Sequence, residues 1–301
     1  MNKITVTIGI TAYNEARNIS QLLSSIAIQR ATNYSLQQIL LICDKCTDNT
    51  AQLARAFRNR KLKVVETKTR QGQNACLNII LSQNRSDILV LIDADMVLKG
   101  TVALATMVEP FLNDSNVGLV TANTLPLPAQ NFLEDSINNY VIARNELQRK
   151  FDFGNTLFVA HGFLAYSKSF LKHFTLPAEV LNHDAFSYLA CIKAGWNHVY
   201  RPRCIAWYRS VSTLPDHLRQ SERHRVGGLQ LYNYFDAALI QTHMHIPMYI
   251  NLLLLKYQLI HNPIGYLLLK TLNMYCMNLA KRKTKNYSNI WAPITTSKSL
   301  I

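Results

Sequence analysis

The sequence predicts an α/β fold: a mainly parallel sheet flanked by helices, with a helical appendage at the C-terminal end. Three observations carry this. Over residues 1–125, short aliphatic runs alternate with amphipathic stretches, and a β-α-β-α succession builds parallel sheets covered on both faces. The chain has 301 residues and is 49% hydrophobic, which is enough to bury a full core. From Ile246 onward leucine dominates, and Asn262-Pro263 breaks the helical pattern, marking two helices outside the sheet.

Taken in order, strands are expected at 4–11, 38–43, 62–66, 87–92 and 117–122, where β-branched and aliphatic residues run together. Amphipathic helices are expected between them, at 17–29, 48–59, 73–83 and 101–112. Asp48 is placed to cap the second of these. A long polar helix follows at 129–151, then the glycine-containing segment HGFLAYSKSFL at 161–171. The stretch 182–196 reads as a helix with Asn182 as N-cap and Gly195 as terminator. Residues 197–211 read as two short strands around Pro202, and a strongly basic helix follows at 215–232. The chain divides on this reading into 1–125, 126–235 and 236–301.

Composition narrows the function. Lys and Arg number 32 against 18 acidic residues, a formal charge of +14. Nucleic acid, anionic lipid and phosphorylated substrates all suit that charge. No zinc-finger spacing or RNA-binding aromatic signature accompanies it, so nucleic acid is not an expected partner. The six cysteines are scattered, with one Cys43-x-x-Cys46 pair. That usage fits a reduced intracellular protein, and the pair lacks the rest of a thioredoxin-like pattern. The opening residues alternate like a strand and contain no signal-peptide core.

Between 246 and 285, Asn251, Lys256, Gln258, His261 and Lys270 interrupt every apolar run, so no clean membrane span is expected. These helices are expected to lie in a membrane interface with their lysines snorkelling. Lys281, Arg282, Lys283 and Lys285 would then touch anionic headgroups. That places the protein in the cytoplasm, peripheral at the inner face of the cell membrane. A homodimer built on the same two helices is the alternative.

The stretch DILVLIDADMVL, 87–98, sets two carboxylates after an aliphatic strand. An ionised carboxylate out of water costs several kcal/mol, of order 5, unless something compensates it. Residues two apart in a strand face the same way, so Asp93 and Asp95 would point together, with Ala94 between them. Hard oxygen ligands with open positions beyond suit Mg²⁺ or Mn²⁺ bridging a diphosphate. Two aspartates that merely cap the turn after a strand would look the same. The carboxyl ends of the strands, where such sheets bind ligands, also carry Thr11–Glu15 and Asp44.

Five stretches in order, TAYNEARNISQLL (11–23), CDKCTDNTAQLA (43–54), RQGQNACLNIIL (70–81), DILVLIDADMVL and NHDAFSYLACIKAGW (182–196), resemble the family 2 glycosyltransferases over residues 4–228. The resemblance implies a GT-A fold and an inverting transfer from a nucleotide-activated sugar, usually with Mg²⁺ or Mn²⁺. It implies nucleotide contacts from Thr11, Ala12, Tyr13 and Glu15, and from Asp44, whose carboxylate would accept from a uracil imide. The family's Gly-Lys appears here as Gly72-Gln73, and Arg70 is the candidate replacement for the missing lysine. Asp93, Ala94 and Asp95 match the metal and diphosphate motif.

The family's general base is the aspartate of an E-D pair, which reads His183-Asp184 here, so Asp184 is the expected base. Gln220-Ser221-Glu222-Arg223-His224 resembles the Q-x-x-R-W motif of polysaccharide-making members, with His224 in place of tryptophan. Arg223 or Arg225 would offset charge on the departing diphosphate; His217 and His224 stand nearby, but a lone histidine seldom completes a metal site, and the sequence leaves open whether either ligates the metal. The expected activity is transfer of one sugar, with a UDP-sugar as donor, to a small or lipid-linked acceptor. Two other readings are a sugar-phosphate nucleotidyltransferase, which should carry a glycine- and arginine-rich phosphate loop near residue 11, and a degenerate binding module without catalysis.

Overall fold

The computed structural model describes residues 3–151 and 162–283, together with Thr296 and Leu300. The first half alternates as expected: β1 (Ile4–Ala12), α1 (Ile19–Ala27), β2 (Tyr34–Cys43), α2 (Thr50–Ala56), β3 (Leu62–Glu66), α3 (Gln73–Gln83), β4 (Ile88–Ile92), β5 (Met96–Leu98), α4 (Ala103–Asn113) and β6 (Val117–Pro126). There follow α5 (Phe132–Phe151), β7 (Phe163–Ser167), α6 (Lys168–Leu171), α7 (His183–Lys193), β8 (Asn197–Tyr208) and α8 (Leu214–Gln230). Three helices close the described chain: α9 (Ala237–Met244), α10 (Met248–His261) and α11 (Pro263–Lys283).

One eight-stranded sheet runs through the molecule in the order β3-β2-β1-β4-β7-β6-β8-β5. Strands β3, β2, β1 and β4 are parallel. Strand β7 then enters antiparallel to both β4 and β6, β6 pairs parallel with β8, and β5 closes the edge antiparallel to β8. The sheet is mixed but mainly parallel, as expected: of the described strands β7 and β5 run against the other six, and β7 stands between β4 and the apolar run at 117–126. The reason is visible in β7. All five of its residues are buried, so it fills a central position that no helix-covered edge could offer.

Strand β4 shows why its sequence is aliphatic throughout. Ile88, Val90 and Ile92 belong to the core on one face of the sheet, packed with α1 and α4, while Leu89 and Leu91 belong to the core on the other, packed with α3 and α7. A strand buried on both faces reads as a continuous apolar run. Where two short strands were expected around Pro202, one strand runs with a break in register: Ala122 pairs with Arg201, but the next residue, Asn123, pairs with Ile205. Proline cannot donate to a ladder and is tolerated at such a bulge.

The C-terminal helices are docked on the body. Ile250 and Leu254 of α10 pack on Ala143 and Leu147 of α5. Asn262 caps α11, its Oδ1 accepting from the Gly265 amide (2.7 Å), while its Nδ2 donates to Asp135 Oδ2 (2.7 Å). Their outer faces carry Met248, Leu252, Ile260, Ile264, Leu267 and Tyr275, all exposed. No described helix is long and apolar enough to cross a membrane. The basic cluster at 281–285 lies outside the residues whose side chains are described.

Candidate active site

The parallel half of the sheet delivers β1, β2 and β4 side by side, so their carboxyl ends bring Thr11–Glu15, Asp44 and Asp93 to one edge. The Asp93-Ala94-Asp95 segment is not strand. β4 ends at Ile92 and β5 begins at Met96, so the two aspartates meet through a turn rather than through strand alternation. The turn is held from behind: the Asp93 amide donates to the Gly162 carbonyl (2.8 Å). Gly162 has φ +75°, a backbone conformation that favours glycine, and a Cβ there would push aside the side-chain tips of Asp93 and Met96.

A cavity of about 980 Å³ opens beside this turn. Its walls include Asp93, Asp95, His183, Asp184 and Arg223, so the expected metal, base and diphosphate residues are gathered around one space. Asp184 and His183 stand in the first turn of α7, which Asn182 caps by accepting from the Ala185 amide (3.1 Å). Both are buried, and His183 Nε2 lies 3.1 Å from Asp184 Oδ1. Burial lowers the basicity of His183, but Asp184 and Asp93 outweigh it and its pKa is raised. Burial and then the neighbouring Asp95 push Asp93 up to about 7, against the pull of His183 and Arg223.

The residues expected to contact the nucleotide form a second cluster, outside the lining of that cavity. Asp44 is buried, and its Oδ1 accepts from the Gln71 amide (2.8 Å) and Thr67 Oγ1 (3.2 Å). Its Oδ2 accepts from the Gly72 amide (2.9 Å), with Arg70 Nε at 3.5 Å. A carboxylate offers about four acceptor positions, so most of Asp44 is spent holding the 70–72 turn. Gly72, at φ +90°, starts α3 there. Arg70 lies on the Tyr13 ring, 3.3 Å from its centroid. Glu15 is buried, its amide donating to Thr50 Oγ1 (2.7 Å) and its Oε2 accepting from Asn18 Nδ2 (2.9 Å). Asp48 makes the expected capping bond at the start of α2, its Oδ1 accepting from the Thr50 amide (3.0 Å), while its Oδ2 accepts from the Ala16 amide (3.1 Å); Asn49, directly before the helix, makes no side-chain cap bond.

Three residues at the cavity escaped sequence reasoning. Gln73 Nε2 donates to Asp93 Oδ1 (3.2 Å), joining the two clusters. Tyr208 ends β8 in the cavity wall, and Arg144 of α5 lies there too. Gln73 was visible as the departure from Gly-Lys; nothing in the pattern around Arg144 or Tyr208 marks them. Among the described residues no group of three His, Cys, Asp or Glu is arranged to hold a metal ion. His217 and His224 therefore complete no ligand set with the two aspartates; His217 is buried against Ser221 Oγ (3.4 Å). Asp93 and Asp95 fit a divalent cation as a pair, since crowding and burial already hold Asp93 far from its ordinary ionisation.

Fold and site together define a GT-A nucleotide-sugar transferase. The family model described as Glycosyl transferase family 2 matches residues 7–175, and the chain belongs to that family: it is a glycosyltransferase. The poly-beta-1,6-N-acetyl-D-glucosamine synthase of Staphylococcus epidermidis is 29% identical over 115 residues, 38% of this chain and 27% of that protein. The Staphylococcus aureus (strain COL) protein of the same name is 30% identical over 119 residues, 39% of this chain and 28% of its own. The chain thus spans little more than a quarter of the length of these curated relatives. Among solved structures, a mannosyltransferase from Pyrobaculum calidifontis in complex with GDP-Man and Mn²⁺ matches with a TM-score of 0.67 at 18% identity, covering 95% of this chain and 88% of that one. Glucosyl-3-phosphoglycerate synthase from Mycobacterium tuberculosis, in complex with Mn²⁺, UDP and glucosyl-3-phosphoglycerate, gives a TM-score of 0.52 at 17% identity, covering 81% of each chain.

Proposed function

We propose that the chain is an inverting glycosyltransferase that moves one sugar from a UDP-sugar to a hydroxyl of a small or lipid-linked acceptor, with Mn²⁺ or Mg²⁺ required. The observation that carries this is the gathering of Asp93, Asp95, Asp184 and Arg223 around one cavity next to the Tyr13–Asp44–Arg70–Gly72 cluster. Residues 1–125 hold the donor, residues 126–235 supply the base and the acceptor side, and within 236–301 the helices α9 to α11 close the cavity, with that region facing the membrane.

Asp184 takes the proton of the acceptor hydroxyl as its oxygen bonds to the anomeric carbon. The bond from that carbon to the diphosphate breaks on the opposite side, and its electron pair leaves with the diphosphate. Arg223 offsets the charge that develops there. A divalent ion held by Asp93 and Asp95 would supply Lewis-acid stabilisation of the same leaving group. Gln73 fixes the rotamer of Asp93, and His183 orients Asp184.

Thermal-shift screening against UDP-, GDP- and dTDP-sugars with Mn²⁺ tests the donor, because a ligand of the native state raises Tm by mass action. The UDP-sugar should give the largest rise. Donor turnover should vanish in EDTA and in Asp95→Ala while the variant still melts cooperatively; full activity in EDTA overturns the metal requirement. Peripheral attachment at the cytoplasmic face rests on the exposed apolar residues of α10 and α11 and the +14 charge. Sedimentation with anionic vesicles should capture the protein and release it as salt rises. Equal capture by neutral vesicles removes the electrostatic part, and no capture with a dimer by light scattering favours helix-mediated pairing.

A further inference from the structure

The proposed transfer fixes the acceptor's reacting group but not its class, and the cavity wall carries information on the class. Helix α11 turns Tyr266, Leu269, Lys270, Asn273, Met274 and Met277 toward it. Spacings of three and four make this a single helical face. The face grades from closed to open: Leu269 is 7% exposed and Met274 is 63% exposed. The cavity thus runs from the buried Asp184 to a mouth at Lys270 and Met274. Beyond the mouth the surface stays apolar, with Ile264 at 70% and Leu267 at 60% exposure on the same helix.

Helix α5, which packs against α11, also lines the cavity, with Ile137, Val141 and then Arg144 on one face. Arg144 Nε is buried and meets no hydrogen-bond acceptor among the described residues. Arg144 shares the cavity wall with Tyr208 and Asp95 near the reacting end and with Val141 and Leu269 toward the apolar end. A guanidinium donor in that position is complementary to a phosphate oxygen. Lys270 adds a second cation at the mouth, its ammonium 5.6 Å from the Tyr266 ring centroid. A small sugar acceptor would use neither the methionines nor this cation, whereas methionine adapts well to a flexible apolar chain.

We infer that the acceptor is an anionic amphiphile: a sugar hydroxyl at Asp184, a phosphate linkage at Arg144, and an apolar chain laid along α11 and out past Met274. This rests on the glycosyltransferase reading, which the donor experiments above test without any acceptor. The inference is tested by calorimetric binding to the full chain, without lipid and below the micelle-forming concentration. The probes are N-acetylglucosamine joined through phosphate to a decyl chain, the decyl glycoside without phosphate, the sugar 1-phosphate without chain, and dihexanoyl phosphatidylglycerol.

The first probe should bind at least about tenfold more tightly than each of the others, since even two buried methylenes are worth about that factor. Arg144→Gln should abolish the advantage over the decyl glycoside while keeping the advantage over the sugar phosphate. Met277→Asp should do the reverse. Equal binding of the chain-free and chain-bearing phosphates overturns the inference, as does equal binding of the phosphatidylglycerol, which would make the cavity a general lipid-headgroup site. The wild-type comparison decides even if a variant fails to fold.

Discussion

His198 of β8 offers a quantitative test of how the sheet supports α7, which carries His183 and Asp184. Its Nε2 lies 2.8 Å from Thr121 Oγ1 of β6, and its ring packs edge-on against Tyr188 of α7, centroids 4.9 Å apart. Tyr188 in turn pairs with His243 Nδ1 of α9 (3.1 Å). Burial alone lowers the His198 pKa from 6.5 to about 3. The unfolded chain therefore binds a proton below pH 6.5 that the native protein refuses down to about pH 3. Stability from this group is complete above the unfolded value and is lost as pH falls through that window, by about 2 kcal/mol at pH 5. Asp93 and His183 are shifted upward and work in the opposite sense, so the whole-protein acid profile mixes the two. Comparison of wild type with His198→Gln isolates the term. Urea unfolding followed by circular dichroism should show the wild-type advantage at pH 7.5 shrinking by about 2 kcal/mol at pH 5. A difference that stays constant across that range would mean that the ring titrates normally in the fold.

Asp184→Asn keeps size and helix position but removes basicity, so kcat should fall by roughly 10²–10⁴ with donor affinity held; a variant that instead loses donor binding and keeps its saturated rate makes Asp184 a binding residue. Gly162→Ala should cost about 1–2 kcal/mol from its left-handed backbone and should also depress turnover by displacing Asp93. Lower Tm with unchanged turnover would show that Gly162 does not set the Asp93 pose. Mass spectrometry at low turnover with excess acceptor should show acceptor plus one sugar, since His224 offers less stacking area than the tryptophan of polymer-making relatives. A ladder of long products beside untouched acceptor would refute the single transfer.

The local signals read well from the sequence because each is written in a short window. β1 to β4, α1 to α4 and the Asn182 cap of α7 all follow from periodicity and capping within about a dozen residues. The site's aspartates were legible for the same reason: a carboxylate after a buried strand is expensive wherever it occurs. What failed was long-range. Strand β7 reverses direction inside a parallel sheet, and nothing in FLAYS distinguishes the two directions, since a strand buried on both faces has no alternation to read. Arg144, Tyr208 and the α11 face reach the cavity only because α5, β8 and α11 pack around it, and no spacing in the chain encodes that meeting. The α10–α11 pair was expected to lie on a membrane by one face; it also has a second face, which builds the cavity.

The two departures from the family pattern near the site act on the same charge balance. Three carboxylates, Asp93, Asp95 and Asp184, line one cavity, and a fourth from the usual glutamate before Asp184 would add to the repulsion. Histidine stands there instead, and its raised pKa means that the carboxylates hold a proton on it more firmly than water would. The second departure works the other way. A lysine at position 73 would bring a charge toward Asp93, whereas Gln73 brings only an amide donor at 3.2 Å. An amide satisfies a lone pair without cancelling the charge, so burial and Asp95 win and Asp93 rises to about 7. In place of a lysine on that turn, His183 and Arg223 are the groups that pull the Asp93 pKa down, against burial and Asp95. On the proposed metal-dependent reading, a divalent cation at this turn would draw Asp93 back toward its ordinary ionisation, while His183 Nε2 stands 3.1 Å from Asp184, the proposed base.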